Sequence, residues 1–109
     1  MPHCVIEYSN ELDNNISEMI QIVNQKLIES DLFENKTIKT RATPVSAYLV
    51  GGKRIPFIHT TIRLLEGRKD RTKQQLSKNV LNLLSKKYKS VKDISVEVID
   101  INKNFYSKN

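Results

Sequence analysis

Apolar and polar residues alternate through HCVIEYS near the start of the chain, with Cys4, Ile6 and Tyr8 on one side and Val5 and Glu7 on the other. That period of two predicts a strand. From Asp13 to Ser30 the period lengthens, and Ile16, Met19, Ile20, Val23 and Leu27 recur at the spacing of one helix face. Ser9, Asn10 and Asp13 are candidate caps ahead of it. TIKTRATPVSAYLV returns to strand character, and Pro44 within it marks a bulge or a sheet edge, because proline cannot donate to a ladder. Gly51-Gly52 in VGGKRIP is a hairpin signal, since tight turns need positive φ. FIHTTIRLL follows as a strand, setting Ile58, Ile62 and Leu64 against His59, Thr61 and Arg63, with Thr60 interrupting the apolar side. TKQQ (Thr72 to Gln75) fits a capping box for a second helix that carries Leu76, Val80, Leu83, Leu84 and Tyr88 on one side. ISVEVIDI is the last strand, and NKNFYSKN is a short polar tail.

The order is strand, helix, strand, hairpin, strand, helix, strand. Two β-α-β units in tandem, about residues 1–50 and 55–101, are expected within a single domain over residues 1–109. Such crossovers make parallel pairs and are right-handed. The fold class is therefore α+β in two layers: a four-stranded mixed sheet with both helices on one face. The bare face carries Val5, Glu7, Phe57, His59, Thr61, Arg63, Glu97 and Ile99, a mixed surface better suited to a subunit interface than to open water. A homo-oligomer packed through its sheets is expected.

Composition narrows the class. With 109 residues, 39% hydrophobic and 28% charged, the chain reads as one small globular domain. A domain this short buries a modest share of its surface, so self-association is a plausible supplement to its stability. No apolar stretch approaches the length of a membrane helix, and the N-terminus lacks the features of a signal peptide, so a cytoplasmic protein without a membrane partner is expected. Cys4 is the lone cysteine, which excludes an intramolecular disulfide, and with only His3 and His59 beside it no metal cluster is expected. The net charge is +6, from 18 basic and 12 acidic residues, with the excess concentrated in GRKDRTKQQLSK and SKKYKSVK. A solvated helix face, a nucleic-acid footprint and a rim that attracts small anions all fit that charge. Against nucleic acid, the basic residues are not interleaved with stacking aromatics, and no RRM, KH or zinc-finger pattern occurs.

Pro2 carries the sharpest chemical question. If Met1 is removed, its ring nitrogen becomes a free secondary amine, able to take a proton; behind Met1 it is an inert amide. Pro56 also heads a strand, in PFIHTTIR, and in mid-chain its nitrogen is an amide, so a proline at a strand head can be purely structural.

Taken together, MPH followed by apolar residues and Glu7, the segment TIKTR, the stretch FIHTTIRLLEGR, the QQ of the second helix and the NF near the end resemble the tautomerase superfamily. These are the amino-terminal-proline enzymes that include 4-oxalocrotonate tautomerase and macrophage migration inhibitory factor. Within it the features are most similar to the 5-carboxymethyl-2-hydroxymuconate isomerase family. The resemblance spans nearly the whole chain. It implies a homotrimer with three sheets wrapped into a barrel-like core, a pocket at each subunit interface, and isomerisation of an unsaturated hydroxy- or oxo-carboxylate without cofactor or metal.

By that resemblance Pro2 is the general base that then acts as acid, its pKa lowered by burial and by nearby cations. Arg68 in LLEGRKD and Arg41 in KTRAT fall on family arginines that bind the carboxylates of a small anionic substrate. Lys39 stands where the family carries another arginine, keeping the charge and losing the planar fork. TPVSAYLVGGKRIP replaces a longer, tryptophan-bearing stretch, and this chain has no Trp. His3 either tunes the amine or is structural; His59 reads as structural at an oligomer core, and Cys4 as a buried hydrophobe. Phe105 and Tyr106 either line the pocket or pin the tail. The competing readings are a non-catalytic binding or signalling protein on the same scaffold, and a basic nucleic-acid binder.

Overall fold

Strand β1 (His3–Ser9) follows its alternating pattern closely in the computed structural model, which describes residues 1–109: Cys4, Ile6 and Tyr8 are buried while Glu7 is exposed. A 3-10 segment over Asn10–Asn15 separates it from helix α1 (Ile16–Glu29), so the helix starts at the first apolar residue of its stripe, three residues after the expected segment begins at Asp13. The candidate caps are diverted by that segment. Ser9 Oγ accepts from Phe57 N at 2.8 Å, Asp13 accepts from the Tyr8 hydroxyl, and Asn10 Oδ1 accepts from Arg54 Nη2 at 3.2 Å. Asn15 takes the cap position without a side-chain bond.

Strand β2 (Lys39–Val45), strand β3 (Phe57–Leu65), helix α2 (Asp70–Lys87) and strand β4 (Asp93–Ile101) complete the chain. The sheet order is β2-β1-β3-β4. Each β-α-β unit gives a parallel pair, β1 with β2 and β3 with β4, and the two units join antiparallel through β1 and β3. This is the expected two-layer α+β fold.

Because β1 lies between β2 and β3, the Gly51-Gly52 hairpin cannot pair those strands. It closes only a local bridge between Val50 and Lys53, with φ of 57° and 82° at the two glycines, and β2 ends at Val45 well short of it. The edge position of β2 accommodates Pro44. The capping box at Thr72–Gln75 does not form either. Helix α2 begins three residues earlier, with Lys69 at the cap and Asp70 in the first turn, where a carboxylate meets the positive end of the helix dipole.

The core lies between the helices and one sheet face. Cys4, Ile6, Ile58, Ile62 and Leu64 from the sheet meet Met19, Val23 and Leu27 of α1 and Leu76, Val80 and Leu84 of α2. Thr60 is the polar exception: it is 0% exposed and its hydroxyl has no partner. On the opposite face His59 bridges Ser95 Oγ and Glu97 Oε2, each at 2.6 Å. No helix is long and apolar enough to cross a membrane.

The register decides where function can gather. The head of β1 is paired with the head of β2 through His3 and Lys39, and with the far end of β3 through His3 and Arg63. The end of β4 is in register with Leu65 of β3, and the tail beyond it is held by Glu66, whose Oε2 accepts from Lys103 N at 2.8 Å. Four chain segments thus converge at one end of the sheet.

Candidate active site

Pro2 sits at that convergence and is buried, with less than 2% of its surface exposed. Its carbonyl accepts from Lys39 N at 3.0 Å, an extension of the parallel ladder that ties the proline to the start of β2. The Met1 amino group donates to Thr37 O at 2.8 Å, and Lys39 Nζ donates to the same oxygen at 3.2 Å. Two cationic groups therefore share one carbonyl. The amine is pushed below the ordinary range of an amino terminus, by burial first and then by the charges of Lys39 and Lys108; Glu34 acts weakly in the other direction.

Lys39 and Arg41 are both exposed and two positions apart on β2, so they project from the same side of that strand. Arg41 Nη1 donates to His3 Nδ1 at 3.1 Å, and the other ring nitrogen of His3 lies 3.0 Å from the Tyr106 hydroxyl. The structure thus brings Pro2, Lys39 and Arg41 together. Arg68 is placed differently. Its Nη2 donates to Leu32 O at 2.7 Å and its Nη1 to Leu65 O at 3.4 Å, and its guanidinium lies 5.0 Å from the centre of the Phe33 ring. It braces the loop after α1 against the end of β3, with no hydrogen bond to the other three residues. Beside it, a cavity of about 300 Å³ opens between the end of α1 and the start of α2, lined by Ser30, Leu32, Arg71, Thr72, Gln75 and Leu76, and Pro2 takes no part in it.

The sequence left His3 and Tyr106 undecided, and the structure joins them to Arg41. Phe105, beside Tyr106, is 85% exposed in the single chain. Arg63 was placed only on the bare face; its register with His3 adds it to the cationic group at this sheet end. That placement was readable from strand parity once the antiparallel pairing of β1 and β3 is known. No group of three or more His, Cys, Asp or Glu side chains that could hold a metal ion occurs in the chain. The arrangement can bind an anion and lowers the proton affinity of a nearby amine.

A family model for 5-carboxymethyl-2-hydroxymuconate isomerase matches residues 2–108. The chain belongs to that family. It is therefore an isomerase with the tautomerase fold. No curated protein matches it in sequence. Among solved structures it is similar to a 5-carboxymethyl-2-hydroxymuconate isomerase from Deinococcus radiodurans R1, with 23% identity and a TM-score of 0.87 over 99% of this chain and 88% of that one. A macrophage migration inhibitory factor-like protein from Entamoeba histolytica follows at 21% identity and a TM-score of 0.78, covering 99% of this chain and 95% of that one. A fused 4-OT described as a wild-type symmetric trimer matches at 15% identity and a TM-score of 0.80, covering 97% of this chain and 90% of that one. At these identities the likeness is one of fold.

Proposed function

We propose that this isomerase moves a proton on an unsaturated hydroxy- or oxo-carboxylate of the 5-carboxymethyl-2-hydroxymuconate type, with Pro2 as the general base and then the acid after Met1 is removed. The observation that carries this reading is the burial of Pro2 against Lys39 at a sheet end populated by cations. Burial and those charges already lower the amine one residue upstream, and in the processed chain the same surroundings act on the proline nitrogen. A base whose pKa lies near the working pH transfers protons most effectively. The ladder bond from Lys39 to the Pro2 carbonyl fixes the amine relative to substrate.

The amine takes a proton from the enol oxygen or from a carbon next to the conjugated system, and the same proton is returned at another carbon. Between the two steps the substrate carries a delocalised negative charge, which Arg41, Lys39 and Arg68 stabilise while holding its carboxylates. Lys39 contributes charge without the fork, so bidentate recognition at this sheet end falls to Arg41. Three subunits packed through their bare sheet faces complete the pockets, a reading supported by the trimeric fused 4-OT of the same fold.

The test is turnover of an enol acid by the processed protein and by Pro2→Ala. The variant is expected to keep its fold and lose roughly 10²–10⁴-fold in rate, the usual contribution of a general base. Equal turnover would remove Pro2 from the reaction.

A further inference from the structure

His3 is the first residue of β1, next to Pro2, and both of its ring nitrogens are engaged. Arg41 Nη1 lies 3.1 Å from Nδ1, and the Tyr106 hydroxyl lies 3.0 Å from Nε2. A guanidinium has donors only, so Nδ1 has to offer a lone pair. The single ring proton is then on Nε2, where it is donated to the Tyr106 oxygen. The imidazole and phenol rings meet edge to face, with centroids 6.0 Å apart. The geometry therefore fixes both the tautomer and the charge: His3 is neutral.

Its surroundings favour the same state. The pKa of His3 is lowered, by burial first and then by Arg41 and Lys39 of β2, the amino terminus, and Arg63 of β3. These charged groups acting on the ring are all cations, and the tail presents it with the Tyr106 hydroxyl.

Resting on the reading that Arg41 holds a substrate carboxylate, we propose that His3 is a positioning residue: as a neutral imidazole it orients the Arg41 guanidinium for that carboxylate, and Tyr106 of the C-terminal tail holds His3 in turn. Arg41 gives one of its five N–H groups to His3 and keeps four for the ligand. A side chain ordered before the ligand arrives loses less rotamer freedom on binding. With Lys39 unable to form a fork, Arg41 is the side chain whose direction matters most here. Protonation of His3 would remove the accepting lone pair and set a second positive charge against the guanidinium, so the orientation is lost as pH falls. A residue near the far end of the chain thereby governs the ligand affinity of its beginning.

The experiment is calorimetric titration of the assembled protein with trans,trans-muconate, an unreactive unsaturated dicarboxylate. His3→Ala is expected to weaken binding about tenfold, the equivalent of one charge-assisted hydrogen bond. His3→Asn places an accepting oxygen close to the position of Nδ1 and is expected to stay within about twofold of the parent. Tyr106→Phe should weaken binding by a smaller factor than His3→Ala. In an Arg41→Ala background, His3→Ala should have no further effect. As pH falls from about 7.5 through the lowered His3 pKa the parent should lose affinity, while His3→Asn, which does not titrate, changes less.

Unchanged affinity in His3→Ala would overturn the proposal, as would a tenfold loss that persists without Arg41 or appears equally in His3→Asn. Should His3→Ala fail to assemble, parallel pH slopes in the parent and His3→Asn would overturn it. A parent that does not bind muconate overturns it as well, since Arg41 would then have no carboxylate to hold. Because binding requires no proton transfer, a Pro2→Ala variant that keeps its turnover would refute the base assignment and leave these affinity ratios standing.

Discussion

Replacing Arg68 with glutamine separates a brace from a binding group, because the structure assigns the first role and family resemblance the second. The guanidinium spends two of its five N–H groups, on Leu32 O at 2.7 Å and on Leu65 O at 3.4 Å. The first is short and charge-assisted and contributes about 1.5–3 kcal/mol. The second is at the limit of a hydrogen bond and contributes little. The stacking on Phe33 adds about 0.5–1 kcal/mol for a half-buried pair. Water reaches part of this loop and offsets some of the loss, so Arg68→Gln should cost about 2 kcal/mol of stability. For a chain of this length that is a fall in Tm of roughly 6–12 °C at fixed protein concentration. Three N–H groups remain free for a carboxylate, so a binding role would also weaken muconate about tenfold or more below the new Tm. Differential scanning calorimetry and ligand titration read the two effects independently. A large fall in Tm with unchanged affinity would refute substrate binding by Arg68, and an unchanged Tm would refute the bracing calculation.

Thr60→Val should raise stability by about 1–2 kcal/mol in denaturant unfolding, since it removes a fully buried, unpartnered hydroxyl without changing shape. Cys4 is fully buried and its thiol is pushed up to about 12, chiefly by burial, so the native protein should resist iodoacetamide at pH 8 and react readily once unfolded. His3 has a lowered pKa in the folded chain, so the unfolded chain binds the proton first. The stability this group contributes is complete above about pH 6.5 and declines as pH falls towards the folded-state pKa, a slope that His3→Asn should flatten in urea titrations at a series of pH values.

Periodicity made the strands and helices legible, because β1 alternates, β3 alternates apart from Thr60 and Thr61, and each helix presents a single apolar stripe. Strand order explains what local signals misread. The Gly51-Gly52 turn has the backbone of a hairpin, but β1 occupies the place beside β2 and β3 that a hairpin would require. Cap residues were misassigned for a related reason: Ser9, Asn10 and Asp13 found partners in Phe57, Arg54 and Tyr8, two of them distant in sequence. The grouping of Pro2 with Lys39 and Arg41 came from family resemblance; in the structure Lys39 N bonds the Pro2 carbonyl and Arg41 lies in register with Val5, two positions along the same parallel pair. The bridge from Tyr106 to His3 spans 103 positions and depends on where the tail returns, which no periodicity encodes. Arg68 was a ligand candidate by family resemblance, and only its distances to two carbonyls reveal that it also braces a loop.

The central claim is a ring nitrogen at Pro2 that is free and unprotonated near neutral pH. Titration of protein labelled with nitrogen-15 in proline, followed at the Pro2 resonance, measures it directly. The account predicts a single ionisation displaced clearly below that of an exposed secondary amine, by burial and by the neighbouring cations. A Pro2 nitrogen that does not titrate at all, or that titrates as an exposed secondary amine does in water, would contradict it.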